Sequence, residues 1–120
     1  MRGSAVLRVD VGDTARSLRS GEVDVLGSPR LIALCEQATI DAIVDELDEG
    51  TTTVGMRVQF DHLQPTPVGA EVRAEAVLER IDGRRLKFAV SARDSGGIVA
   101  AGKITRVLVD VDRFMSKCCP

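Results

Sequence analysis

The sequence predicts an α+β protein in which one antiparallel sheet wraps around one long central helix. Three observations carry that prediction. Residues from Ser28 to about Glu49 read as a single helix with little polar surface. After Gly50 the apolar residues switch to a period of two. Turn formers at Asp82-Gly83 and at Asp94-Ser95-Gly96-Gly97 then mark two hairpins.

The alternating segment Ala5 to Val11 predicts a first strand, and an irregular stretch follows it. Ser28 is a good helix N-cap, and Pro29 suits the first helical position, where its missing N–H is not needed. On a helical wheel Arg30, Gln37, Asp41 and Asp45 fall on one narrow polar stripe, so the helix is expected to be largely buried. Gly50 reads as its stop, although the acids Asp45, Glu46, Asp48 and Glu49 oppose the helix dipole there.

Val54, Met56, Val58 and Phe60 then alternate with Gly55, Arg57, Gln59 and Asp61. The turn-rich Leu63 to Gly69 separates this strand from the next, where Val72, Ala74, Ala76 and Leu78 keep the alternation. Leu86, Phe88, Val90 and Ala92 continue it between the two turns, and a last strand runs from about Ile98 to Val111. A 20-residue helix is about 30 Å long, close to the span of such strands, so a curved sheet can cover it. A lone copy leaves strand edges open, which pairing edge to edge in a dimer would close.

Composition narrows the function. A chain of 120 residues suits one domain, expected over 1–120, with a core that needs no metal or disulfide. A formal charge of −2 leaves no basic footprint for nucleic acid, and three Phe with no Trp or Tyr leave little to stack on bases. No apolar run reaches membrane-spanning length, and the N-terminus does not resemble a signal peptide. Cys35, Cys118 and Cys119 do not make a disulfide framework, and one His gives no metal-ligand cluster. A cytoplasmic protein without metal or cofactor, and without a nucleic-acid or membrane partner, is expected.

Four residues stand out as chemistry. Glu36 lies off the polar stripe among Ile32, Ala33, Thr39, Ile40 and Ile43, where a carboxylate needs a partner, a proton or a task. His62 keeps phase with Phe60 and ends its strand, so it should point at the helix, either as a satisfied half-buried ring or as a proton carrier. Ser28 is explained as a cap, yet the first turn of a buried helix also offers N–H groups to a developing oxyanion. Gly55 is unfavourable in a strand, which indicates a bulge or the close approach of a backbone or ligand. Cys35 reads as a buried structural thiol. Arg84-Arg85, after the hairpin turn, read either as solvated or as a contact for phosphate.

The run from Val25 to Lys117 resembles the fluoroacetyl-CoA thioesterase branch of the hotdog-fold thioesterases. The matching landmarks are Gly27-Ser28, Cys35-Glu36, Gly55, His62, Thr66-Pro67-Val68-Gly69, Gly83-Arg84-Arg85-Leu86, Val90-Ser91-Ala92 and Arg113-Phe114. The resemblance implies a metal-free, dimeric enzyme, a homodimer or dimer of dimers, that hydrolyses acyl-CoA. By position it places the catalytic roles on Ser28, Glu36 and His62, with Gly55 lining the site. Pro29, Arg84 and Arg85 join Gly55 as candidate substrate contacts. Two departures are visible. Ser28 stands where the family has Thr, and the segment Arg16 to Glu22 lacks the Phe-rich lid of the fluoroacetate-specific enzyme. The second departure points to a small or medium acyl group other than fluoroacetyl. An acyl-CoA hydratase or dehydratase of the same fold, or a non-catalytic acyl-CoA-binding protein, is the alternative reading.

Overall fold

The computed structural model describes Met1–Cys119. Its strands and α-helices follow as β1 (Arg2–Arg8), α1 (Ser28–Ile43), β2 (Thr51–His62), β3 (Glu71–Asp82), β4 (Arg85–Asp94), β5 (Gly97–Asp110) and α2 (Val111–Met115). The strands form one antiparallel sheet in the order β1-β3-β4-β5-β2. The two expected hairpins join β3 to β4 and β4 to β5. β2 does not lie beside β3. The loop after His62 carries the chain across the sheet, and β2 takes the far edge next to β5.

The sheet curls around α1, as the alternation predicts. Leu31, Leu34, Cys35, Ala38 and Ile43 pack on Val72, Ala74, Ala76, Phe88, Val90 and Ile104, all buried. Each fully buried side chain of the size of Leu or Phe contributes roughly 1.5–3 kcal/mol. β1 crosses α1 at very short range. A β-carbon on Gly3 would collide with the Ala38 carbonyl oxygen, and the Ser4 N–H donates to Asp41 Oδ2 at 2.9 Å. The helix therefore sits over β1 and β3 and has few contacts with β2.

Three details differ from the sequence-based expectation. First, α1 ends at Ile43 rather than near Glu49, and Val44–Glu46 form a 3₁₀ turn. The acids that would have opposed the helix dipole thus fall outside it. Second, the N-cap is Gly27, with no side-chain cap, and Ser28 is the first helical residue. Third, β2 carries a bulge between Gly55 and Arg57, with Met56 as the extra residue. Before the bulge Thr53 and Gly55 pair with Leu108 and Arg106; after it Val58, Phe60 and His62 pair with Ile104, Gly102 and Ala100. Strict alternation puts Gly55 opposite His62, but the bulge brings both to the face that α1 covers.

Candidate active site

The start of α1 and the end of β2 are held on one scaffold. After β1 a 3₁₀ turn at Val11–Asp13 is closed by Asp10 and Asp13, each side chain accepting from the other end of the turn. The Gly27 N–H then donates to the Asp13 carbonyl at 2.9 Å, and the Leu26 N–H to that of Thr66 at 2.9 Å. From the other side the Leu63 N–H donates to the Val99 carbonyl at 2.7 Å. Between these anchors Ser28 Oγ lies 2.7 Å from His62 Nδ1.

Ser28 Oγ therefore pairs with the imidazole and not with a capping N–H. His62 Nε2 is buried and has no partner among the described residues. A buried polar atom without a partner costs about 1–3 kcal/mol, so that nitrogen is set up to meet a ligand or water. Among the described residues the N–H groups of Ser28 and Arg30 find no backbone acceptor either, and Pro29 between them has no N–H to offer. The first turn of α1 thus presents a hydroxyl and two N–H groups beside an imidazole, a set that suits an oxygen gaining negative charge.

Two turns further along α1, Glu36 forms a second cluster. Its Oε2 accepts from Arg106 Nη1 at 3.4 Å. Arg106 is buried, and two more of its donors are taken by Thr53: Nε–H by Oγ1 at 2.8 Å and one Nη2–H by the carbonyl at 2.9 Å. Burial lowers the basicity of this guanidinium, and the neighbouring Glu36 carboxylate opposes that shift. Thr53 thus fixes the fork of Arg106, and Arg106 in turn restrains one oxygen of Glu36. The side chain of Glu36 stays about one-third exposed, so the carboxylate is anchored yet reachable. Gly55 makes the room: a β-carbon there would stand 2.7 Å from Oε2. The bulge reading of Gly55 holds, at the register shift between Gly55 and Arg57; the group that approaches it closely is the Glu36 side chain and not a backbone or a ligand.

Within one chain the two clusters are distinct. Ser28 and Glu36 are eight residues apart on α1, which is about 12 Å of helix rise. The structure brings Ser28 to His62 and Glu36 to Gly55 but makes no direct contact between the pairs. The helix flank that carries Glu36 is open: Ile32 and Ala33 are half-buried, while Ile40, Val44 and, on β2, Val58 are exposed. The expectation of a largely buried helix fails along that flank.

Pro29 is exposed on the first turn next to Ser28. Arg84 and Arg85 lie at the β3–β4 turn and make no hydrogen bond or ion pair with Ser28, Glu36 or His62; the Arg84 carbonyl accepts from the Leu108 N–H at 2.8 Å. A single chain does not bring them to the site. Cys35 is fully buried, and burial, reinforced by the charge of Glu36, pushes its thiol up to about 12. It is inert at neutral pH, as read from the sequence. Cys118 and Cys119 are exposed beyond α2. Among the described residues no His, Cys, Asp and Glu side chains group as metal ligands, and no helix is long and apolar enough to cross a membrane.

Sequence reasoning missed Arg106. Its signal was phase: Ile104, Arg106 and Leu108 share one face of β5, and a charge in a core-facing row requires a partner.

Residues 9–112 match the profile of the family described as FlK, fluoroacetyl-CoA-specific thioesterase. The fluoroacetyl-CoA thioesterase of Streptantibioticus cattleyicolor is 29% identical over 94 residues, covering 78% of this chain and 68% of that protein. A crystal structure of a point mutant of FlK with fluoroacetate and CoA superposes with a TM-score of 0.89 at 26% identity, over 95% of this chain and 96% of that one. A hot-dog-like protein from Thermanaerovibrio acidaminovorans superposes with a TM-score of 0.89 at 26% identity, over 98% of this chain and 87% of its own.

Proposed function

The chain belongs to the fluoroacetyl-CoA-specific thioesterase family, and on that premise we propose that Ser28, Glu36 and His62 carry its reaction. It is an acyl-CoA thioesterase of the hotdog fold, a hydrolase that cleaves a thioester to the free acid and CoA. The observation that most supports the residue assignment is the one-third-exposed side chain of Glu36, its carboxylate anchored by buried Arg106 and given room by Gly55.

The thioester carbonyl docks on the first turn of α1, where the Ser28 hydroxyl and the free N–H groups polarise it. Glu36 delivers the nucleophile. Either it takes a proton from water as the water attacks, or its own oxygen attacks, giving an anhydride that water then opens. In both routes the carbon–sulfur bond breaks and the thiolate leaves. The His62 ring donates Nδ1–H to Ser28 Oγ, which leaves the Ser28 O–H for the carbonyl, and its free Nε2 passes the proton shed by the water on to the thiolate. No metal or cofactor has a part in this scheme; CoA enters as part of the substrate.

Substrate carbonyl and carboxylate must meet, although the two clusters stand apart along α1. We infer a homodimer joined at the β2 edges, in which Glu36 of one protomer faces Ser28 and His62 of the partner subunit. The open β2 edge, the exposed Val58 and the open flank of α1 support this arrangement. Mixing Glu36→Gln protein with His62→Asn protein under exchange conditions tests it. Activity regained by the mixture supports sites shared between protomers, and an inactive mixture of confirmed heterodimers contradicts them.

The acyl group is small or medium. The segment upstream of α1 that carries Phe residues in the fluoroacetate-specific enzyme here holds Arg16, whose Nε donates to Asp24 at 2.9 Å. No aromatic group is available from Arg16 to Glu22 to enclose a fluorinated acyl group. kcat/KM for fluoroacetyl-CoA, acetyl-CoA and longer esters, followed by thiol release, tests this reading. A strong preference for fluoroacetyl-CoA would contradict it. Three cysteines with no disulfide suit a reducing compartment, and we place the enzyme in the cytoplasm.

A further inference from the structure

The outer face of the sheet, turned away from α1, carries a groove of about 450 Å³ lined by residues of β2, β3, β4 and β5. Five cations line it, Arg57, Arg80, Arg85, Lys87 and Lys103, against one carboxylate, Glu79. The chain as a whole has a formal charge of −2, so this is a local reversal of sign. Glu79 is taken by an ion pair with Lys103. Among the described residues, Arg57, Arg80, Arg85 and Lys87 have no ion-pair partner. Asp82 stands across from Arg85 in the register but forms no ion pair with it.

Arg80 pairs with Lys87, Lys87 with Thr105, and Thr105 with Arg57. One lateral row across four strands therefore holds three cations and a hydroxyl. Its ends are about 14 Å apart at the usual strand spacing, close enough for long side chains to converge over the middle. Arg80 and Lys87 are direct cross-strand neighbours of like charge, an arrangement that destabilises a sheet. Folding does not require it. A bound anion relieves it, and a guanidinium fork beside an ammonium group matches phosphate oxygens.

We propose that this groove is a binding site for a diphosphate-bearing anion, distinct from the Ser28, Glu36 and His62 clusters, with Arg57, Arg80 and Lys87 as its principal ligands. The diphosphate belongs either to a free ligand or to the nucleotide end of a CoA molecule; the chemistry recognised is the same.

The test uses full-length wild type, Lys87→Gln, and the Arg80→Gln/Lys87→Gln double variant. Calorimetric titration with inorganic pyrophosphate and with CoA gives affinity, and thermal melting at low salt gives stability. The proposal predicts pyrophosphate binding that weakens with salt and falls about 10-fold or more when Lys87 loses its charge. It also predicts that pyrophosphate raises the Tm of wild type and not of the double variant. If the substitutions also raise KM for an acyl-CoA, the diphosphate is that of CoA; if they leave KM unchanged, it is that of a separate ligand. Absence of pyrophosphate and CoA binding in wild type, or binding and Tm shifts equal in all three proteins, would overturn the site.

Discussion

Glu36 Oε2 lies 2.7 Å from the point where a β-carbon on Gly55 would stand. A side chain at that position and the carboxylate in its present place exclude each other. The atom that must yield is the far end of a flexible side chain, so the fold can accept the change while the reacting group cannot. Gly55→Ala should melt within a few degrees of wild type, yet its kcat/KM should fall about 10²-fold, the usual scale for an ångström of misplacement. Thermal melting beside steady-state kinetics separates the two effects.

Arg106 joins Glu36 to the β2 backbone through Thr53. Lysine keeps the charge but cannot present the fork that meets Thr53 Oγ1, the Thr53 carbonyl and Glu36 together. Arg106→Lys should lower unfolding free energy by about 1–3 kcal/mol, the scale of a lost hydrogen bond involving a charged group. It should also reduce kcat by loosening Glu36. Urea denaturation and saturating-substrate rates check the two halves of this prediction.

Ser28 and His62 share one hydrogen bond, but different losses are expected on removing each. His62→Asn removes the proton carrier and should slow turnover by about 10²–10⁴-fold. Ser28→Ala leaves the N–H groups of the first turn in place, so the loss should be smaller, about 10-fold for one hydrogen bond. Ser28→Thr keeps the hydroxyl and should stay within several-fold of wild type. Initial rates of thiol release rank the three variants.

The cysteines should divide by environment. Burial and the charge of Glu36 hold the Cys35 thiol protonated at neutral and mildly alkaline pH, and its side chain is enclosed. Iodoacetamide at pH 8 should label Cys118 and Cys119 in the native protein and reach Cys35 only after denaturation. Mass spectrometry of native and denatured samples reads this directly.

Much of the fold was legible because period and punctuation agree. The apolar alternation of β3 and β4 and the two hairpin turns are local signals, and each appears where expected; α1 begins one residue earlier than its cap signal indicated. Features that depend on distant partners were not legible. The bulge at Met56 is one extra residue in an otherwise regular alternation, and it becomes visible only in the register with β5. It moves Gly55 to the side of His62 without changing the composition of either strand. Arg106 meets Thr53 and Glu36 across 53 and 70 residues of sequence, so its phase in β5 announced a need for a partner but not which one. Ser28 was attractive as a cap for sound local reasons, yet the His62 ring competes for its hydroxyl and Gly27 takes the cap.

The most direct measurement is the rate of CoA-thiol release from a short-chain acyl-CoA by wild type and by Glu36→Gln, with circular dichroism to show that both are folded. The amide keeps the shape of the carboxylate and removes its power to attack or to take a proton. Release by wild type with a loss of about 10²–10⁴-fold in the variant is the predicted result. Equal rates from the two folded proteins would contradict the placement of Glu36 at the centre of the chemistry.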